Sequence, residues 1–319
     1  METAKIFNNY FNKIVANLII ESGVTLLQNK DQIDDPVLSA INKYEKHPII
    51  LRIKNNMKDN QFSFKYINSE DFESEIFKLD PSKSVKENDI PIKITKNNSD
   101  IIARYLSKDF NRSIDRGIYP SGLKYSDITP VFKSEERSNK SNYRPVSILP
   151  SLSKLYERMI FAQIYEYMNT ILSKYQCGFR KGISTQHSLI AMIEQWSKTL
   201  DEGGACGALL TDLSKAFDCM KHDLIIVKLH AYGFYTQSLK LINSYLSGRK
   251  HRTKIGNSFS EWLELLVGVP QGSVLDPLLF NIFMCDLFLF IEDTSVTSYA
   301  DDTTPYAREK NSDLSNLKT

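Results

Sequence analysis

The chain has 319 residues, of which 42% are hydrophobic and 24% charged, with a formal net charge of +2. This is the composition of a globular protein of about two domains, and it excludes a fibrous or low-complexity chain. So balanced a charge neither demands nor forbids a nucleic-acid partner, which leaves that question to local clusters.

Four cysteines (Cys177, Cys206, Cys219, Cys285) show no CxxC spacing. That speaks against a zinc module or a disulfide framework and for a reducing intracellular setting, in nucleus and/or cytoplasm. No signal peptide opens the chain, so it is not expected to be secreted. The most apolar run, Leu278 to Ile291, is interrupted by Asn281 and Asp286. It is shorter than the ~20 residues a membrane span needs, so a buried helix is expected and no membrane partner.

Residues 1–98 read as a helical, loop-rich region preceding a domain over 99–319. Phe7, Tyr10, Phe11, Ile14 and Leu18 recur at three- and four-residue intervals and predict an amphipathic helix. From Met57 to Asn98 the chain is polar, broken by Pro81 and Pro91, and reads as loops with short elements. Ser126–Lys133 and Tyr143–Leu149 then predict two strands around a polar loop, carrying Lys133, Arg137, Lys140 and Arg144. Arg on such a hairpin offers a bidentate fork for phosphate, although a solvated basic loop is the commoner outcome.

A helix is predicted after Pro150, with Leu152, Leu155, Tyr156, Met159, Ile160, Ile164 and Met168 on one face and Ser151 or Ser153 as cap. The loop Lys174–Gly182 mixes Arg180, Lys181 and aromatic residues, a composition that can hold a nucleic-acid strand. A second helix over 186–200 is expected to bury Leu189, Met192, Ile193 and Trp196. Gly207 to Asp212 reads as a buried strand ending in a carboxylate, and a buried Asp is costly unless it is paired or metal-bound. Two helices follow, Asp223–Tyr232 and Thr236–Ser247, each stopped by Gly.

The most basic run, Gly248–Lys254, contains Arg249, Lys250 and Arg252 and suggests contact with a phosphate backbone, weighed evenly against a solvated face. Short strands are expected near Thr253–Gly256 and Trp262–Val267. A Gly/Pro-rich turn carrying Gln271 and Gly272 then feeds an apolar helix from Pro277, with Asp276 as its N-cap. Finally, Thr294–Tyr299 predicts a strand, and Thr303-Thr304 a return strand, with Asp301-Asp302 at the hairpin tip. Paired carboxylates at a tight turn suit a hard divalent cation, although most such pairs are merely solvated.

Each signal alone is weak, and their order is informative. A carboxylate at the end of a strand, a Gln-Gly turn and an Asp pair, with basic loops between, are the inventory for two-metal nucleotidyl transfer. The blocks Asn142–Ser147, Lys174–Arg180, Asp212–Asp218, Gly268–Leu275 and Tyr299–Asp302 resemble those of reverse transcriptases of non-LTR retrotransposons, most closely the jockey-like group. The resemblance covers roughly residues 100–307.

This resemblance implies an α+β right-hand polymerase with fingers and palm, an antiparallel palm sheet backed by helices, and a thumb expected beyond Thr319. It implies two Mg²⁺ ions, with Mn²⁺ as an alternative, held by Asp212, the Leu213 carbonyl, Asp301 and Asp302. It makes Phe217 a steric gate against the ribose 2′-hydroxyl, puts Gln271 and Gly272 at the nucleotide pocket, and lets Arg144 and Lys133 grip the triphosphate. The partners implied are an RNA template, a DNA primer or target and deoxynucleoside triphosphates.

Three departures from the family pattern stand out, the third being that the later palm segment and the thumb, expected after the Asp pair, are not reached by Thr319. Asp276 occupies a position usually held by Gly, and Lys86-Glu87-Asn88 stands where Gly-x-Asp is usual. The rival expectations are a catalytically dead copy that retains nucleic-acid binding, and a polymerase of group II intron or viral type. Viral RNA polymerases typically carry Gly-Asp-Asp where this chain has Ala300-Asp301-Asp302.

Overall fold

The computed structural model describes residues 1–21, 35–57, 61–82, 86–87, 89–211, 213, 215–291 and 295–309. Its helices are α1 (Glu2–Glu21), α2 (Pro36–Tyr44), α3 (Pro48–Asn56), α4 (Ser69–Phe77), α5 (Ile92–Asn97), α6 (Ser99–Arg116), α7 (Ser151–Met168), α8 (Thr185–Asp201), α9 (His222–Ala231), α10 (Thr236–Leu246) and α11 (Asp276–Met284). Its strands are β1 (Tyr125–Phe132), β2 (Tyr143–Ile148), β3 (Ala205–Ala208), β4 (Arg249–Ile255), β5 (Ser258–Phe259), β6 (Leu263–Leu265), β7 (Ser295–Tyr299) and β8 (Asp302–Glu309). They form two compact units, one of residues 1–166 with 217–276, the other of 167–216 with 277–319. No described helix is long and apolar enough to cross a membrane.

The first unit holds a mixed sheet in the order β2-β1-β4-β5, with β6 also on β4. β1 and β2 are the expected antiparallel pair, whereas β1 and β4 run parallel. Around the sheet an aromatic chain joins four helices: Phe72 of α4, Phe110 of α6, Tyr156 of α7, then Tyr119 and Tyr245 of α10, at centroid spacings of 5.1–6.0 Å. Edge-on contacts of this kind add to the area that such rings bury. The face predicted for α7 is buried at Leu155, Tyr156, Met159, Ile160, Ile164 and Met168.

The cap of α7 differs from expectation. Asp89 accepts from both the Ser151 backbone N–H (2.7 Å) and its hydroxyl (2.8 Å), so an upstream carboxylate meets the helix's positive end. Asp89 directly follows the Lys86-Glu87-Asn88 that replaces the usual Gly-x-Asp, and Asn88 lies outside the described residues.

The change of sequence character near residue 98 is not a break in packing. Asp35 caps α2 and pairs with Lys240 of α10 at 2.9 Å. Lys43 and Tyr44 both reach Asp223 of α9, and the Phe62 and Phe234 rings meet at a tilt, with centroids 4.3 Å apart. The stretch read as loops with short elements contains α4, opened by an Asn68–Asp71 capping box. From the predicted first helix, Phe11 is buried and Phe7 meets Tyr143 of β2 edge-on at 4.9 Å, while the side chains of Ile14 and Leu18 lie outside the described residues.

The second unit is a three-stranded antiparallel sheet in the order β3-β8-β7, with α8 packed on it. The predicted β7–β8 hairpin is present, Thr294 lying outside the described residues. Leu278, Leu279, Phe280 and Ile282 of α11 are buried as expected, and the α-helix gives way to a 3-10 turn at Cys285–Leu289.

Two expectations fail in this unit. Leu189 and Ile193 of α8 are 52% and 57% exposed, because the helix meets the sheet through Trp196, against Tyr306, and through Gln195, which accepts from the Tyr306 hydroxyl. The strand leading to Asp212 is not a buried one. It is the edge of its sheet, and Leu209 and Leu210 point outward.

Candidate active site

Asp301 and Asp302 sit at the tip of the β7–β8 hairpin, where Tyr299 pairs with Asp302 across a two-residue turn. Ala300 takes φ +58°, a conformation usually left to Gly. Asp301 is half-buried and Asp302 exposed, so both carboxylates are open to a partner from outside.

Three strands of chain fix this turn. Cys177 N–H donates to the Ser298 carbonyl (2.8 Å) and Ser298 N–H to the Tyr175 carbonyl (3.0 Å), which adds Tyr175–Cys177 as a short parallel partner to β7. Gly178 then passes so close that a Cβ on it would fall 2.2 Å from the Ala300 nitrogen. Only glycine fits there. Asn281 of α11 holds that passage by donating to the Gly178 carbonyl (2.9 Å), while Gln176 donates to the Asn281 carbonyl (2.9 Å).

From the opposite edge, β3 runs antiparallel to β8, and its register continues to Thr211, which pairs with Thr303 and donates its hydroxyl to the Thr303 carbonyl (2.7 Å). Asp212 is the next residue in sequence and lies outside the described residues. Leu213 is described and exposed. No group of three or more His, Cys, Asp or Glu residues suited to a metal occurs among the described residues.

Gln271 and Gly272 belong to the first unit. The Gln271 carbonyl accepts from Ser147 N–H of β2 at 2.8 Å. Gly272 has φ +98°, and a Cβ there would meet the Ser147 carbonyl at 3.3 Å. At the start of the same turn, Gly268 (φ +78°) lies against the backbone of Asp218, the residue after Phe217, where a Cβ would stand 2.7 Å from its carbonyl oxygen. Phe217 is half-buried. A cleft lined by Ser126, Ser147, Asp218, Lys250, His251 and Gln271 adjoins the turn. Gly272 and Ser147 also border a wider groove with Lys154 and Arg158.

Asp276 is not the helix cap that its position suggests. Ser273 Oγ accepts the Asp276 N–H (3.0 Å), and the Asp276 carboxyl turns back to accept the Gly272 N–H at 3.3 Å. It is buried, and burial raises its pKa to about 8, with Asp218 and Glu157 adding to the effect and the Gly272 hydrogen bond opposing it.

The basic residues divide sharply. Lys133 and Arg144 are exposed beside the β1–β2 hairpin loop, and Lys133 N–H is bonded to the Asn142 carbonyl. The run expected to face phosphate is instead strand β4, whose alternation buries Arg249, His251 and Thr253. Arg249 lies over the Tyr245 ring at 4.6 Å and donates to the Tyr245 carbonyl. Arg252 pairs with buried Asp127 at 2.8 Å and sits between Phe259 and Trp262. Of the three residues singled out in this run, only Lys250 is exposed. Arg180 likewise closes its own loop, donating to the Ser173 carbonyl and to Asn169, while Lys181 is exposed. The two-residue alternation of a strand through Arg249-Lys250-His251-Arg252 is the signal that separates inward from outward cations.

Comparison with known proteins gives this geometry a lineage. The family described as reverse transcriptase (RNA-dependent DNA polymerase) matches residues 133–319. The chain is 34% identical over 186 residues to the probable RNA-directed DNA polymerase from transposon BS of Drosophila melanogaster, covering 57% of this chain and 20% of that protein. It is 29% identical over 218 residues to the RNA-directed DNA polymerase from mobile element jockey of the same species, covering 65% and 24%. It is also 24% identical over 180 residues to the Pol polyprotein from type-1 retrotransposable element R2 of Popillia japonica, covering 56% and 25%. The chain thus spans about a fifth to a quarter of the length of these relatives. With a family match over more than half of its residues, this chain belongs to the reverse transcriptase (RNA-dependent DNA polymerase) family.

Proposed function

We propose that the chain carries the fingers and palm of an RNA-directed DNA polymerase from a non-LTR retrotransposon, and adds deoxynucleotides to a primer 3′-hydroxyl on an RNA template. The observation that carries this reading is the Asp301-Asp302 hairpin, clamped by Gly178 on one side and by Thr211, the neighbour of Asp212, on the other. A turn held this firmly fixes its carboxylates in advance, which is what positioning catalysis requires.

The donor set fits two divalent cations. Carboxylate oxygens and a backbone carbonyl are hard ligands of the kind Mg²⁺ takes, with Mn²⁺ as the alternative. Asp212, Asp301, Asp302 and the Leu213 carbonyl would hold them. Such ions lower the pKa of the attacking hydroxyl and neutralise the leaving pyrophosphate.

The chain's own residues do the rest. Arg144 and Lys133, both exposed, would meet the triphosphate as charge-assisted donors. Gln271 and Gly272 would seat the base pair, and Phe217 would exclude the 2′-hydroxyl. Lys250 and Lys181, both exposed, would contact the nucleic-acid backbone and make binding salt-dependent. Arg249, Arg252 and Arg180 would act from within, shaping the strand and loop that present them.

The test is primer extension by the purified chain on an RNA template with Mg²⁺, compared with Asp212→Asn. Extension that disappears in the variant while RNA binding persists is the expected result. Equal background in both, with RNA binding intact, would leave a nucleic-acid-binding chain without polymerase activity.

A further inference from the structure

The Gln271 turn and the segment after Phe217 meet at Gly268. A Cβ there would stand 2.7 Å from the Asp218 carbonyl oxygen and 2.9 Å from the Asp218 Cα, so the two backbones touch. Both polar groups of Gly268 are engaged by that same segment. Its N–H donates to the Met220 carbonyl at 2.9 Å. Its carbonyl accepts from Nε2 of His222 at 2.7 Å. A carbonyl can only accept, so the ring hydrogen at this contact lies on Nε2. The imidazole thus supplies the second hydrogen bond that a neighbouring strand would supply in a sheet.

His222 is placed to hold this contact still. It opens α9, whose Ile225, Ile226, Val227 and Leu229 are buried. The next residue, Asp223, accepts from Lys43 Nζ (2.8 Å) and from the Tyr44 hydroxyl (3.1 Å) of α2. The ring therefore reaches from an anchored helix end to a backbone flanked by the buried Val267 and Val269. Only Val269 and Pro270 stand between Gly268 and Gln271, and the fixed φ of proline leaves little slack. On the opposite segment Asp218 directly follows Phe217. A displacement at Gly268 is passed toward Gln271 on one side and toward Phe217 on the other.

We propose that His222 is a positioning residue that sets the gap between Phe217 and the Gln271-Gly272 turn, and so governs discrimination between deoxynucleotides and ribonucleotides. It acts through Gly268, and it makes or breaks no bond in the substrate. A steric gate excludes a hydroxyl only while the wall facing it cannot retreat. The hydrogen bond to the Gly268 carbonyl keeps that wall in place. The inference rests on the reading of Phe217 as the gate and of Gln271-Gly272 as the nucleotide-facing turn.

The experiment is primer extension with wild type, His222→Gln and His222→Phe, resolving kcat and KM for a deoxynucleotide and for the matching ribonucleotide. His222→Gln keeps an N–H of similar reach. His222→Phe keeps a ring but has no donor for the Gly268 carbonyl. In His222→Phe the ratio of kcat/KM for the two nucleotides should fall by about 10-fold, the scale of one lost hydrogen bond, mainly through a lower KM for the ribonucleotide. His222→Gln should keep the ratio within about threefold of wild type. A general loss of structure would lower both kcat values together and leave the ratio alone. That result, or an equal ratio in the two variants, would overturn the role of His222. His222→Leu, also without a donor, replaces His222→Phe if the larger ring prevents folding.

Hydrogen exchange over residues 267–272 gives a readout independent of polymerisation. Protection should drop by about 10-fold in His222→Phe and persist in His222→Gln. If no chain, wild type included, extends a primer but exchange behaves in this way, the tie between the two segments stands and the polymerase reading fails. Exchange that is identical in wild type and His222→Phe, in active or inactive protein, rejects the tie itself.

Discussion

The β7–β8 hairpin and the turn before α11 both place aspartate beside a glycine contact, and they use it in opposite ways. At the hairpin, Gly178 lets one backbone run against another, and the acids project away from the contact with Asp302 exposed. At the Gln271 turn, Gly272 sits on β2 and the acid is folded beneath it, buried at 4% exposure. Burial separates a carboxylate offered to a ligand from one spent on the protein's own backbone. The same division runs through the cations, where Arg144 faces outward and Arg249 lies in the core.

The comparison breaks most visibly at Gly178. Gly178→Ala puts a methyl group 2.2 Å from the Ala300 nitrogen, and the hairpin must move. Overpacking of this kind costs about 1–3 kcal/mol, and a shift of ~1 Å in the carboxylates should lower the extension rate by roughly 100-fold. Thermal melting and single-turnover extension read the two effects. Gly272→Ala, set against a looser 3.3 Å contact but at φ +98°, should cost less rate and raise KM instead.

Phe217 tests the selectivity side of the first unit. Phe217→Ala should erode discrimination between deoxynucleotides and ribonucleotides by about 10–100-fold, the equivalent of ~1–3 kcal/mol of lost steric exclusion. Competition assays with each nucleotide type measure it. Unchanged discrimination would remove Phe217 from the gate.

The smallest effect is expected at Ala300. Its φ of +58° carries strain that glycine does not. Ala300→Gly should therefore stabilise the fold by about 0.5–1 kcal/mol, read as a small rise in Tm, and should leave a Gly-Asp-Asp turn with its pairing intact.

Much of this was legible in the sequence. Residue patterning located β1, β2, α7 and the β7–β8 hairpin, glycine stops located α9 and α10, and five blocks in order pointed to the family. What escaped were matters of tertiary context. Alternation marks which Arg of β4 faces inward only once β4 is known to be a covered strand, with β1 on one edge and β6 on the other. Leu189 and Ile193 look like core at helical spacing, yet α8 turns Trp196 to the sheet. The capping of α7 by Asp89 joins positions 62 residues apart, and no local pattern encodes that. Asp276 carries an ordinary N-cap signal, and only its buried neighbours show that the carboxyl reaches back to Gly272.

The buried Asp276 makes stability depend on pH. The folded pKa of Asp276, about 8, stands above the ordinary carboxylate value, so the native state keeps a proton that the unfolded chain releases. Its contribution is fully present below about pH 4 and is lost as pH rises to about 8. Asp276→Asn should therefore gain on wild type in melting temperature across that range.

The most direct measurement is single-turnover primer extension at saturating deoxynucleotide, pH 7, with Asp301→Asn and Asp276→Asn side by side. If the hairpin pair performs the chemistry and Asp276 does not, Asp301→Asn should lose about 10³-fold in rate, or ~4 kcal/mol of transition-state stabilisation, while Asp276→Asn stays within about threefold of wild type. Extension at the wild-type rate by Asp301→Asn, or an equal loss in both variants, would contradict it.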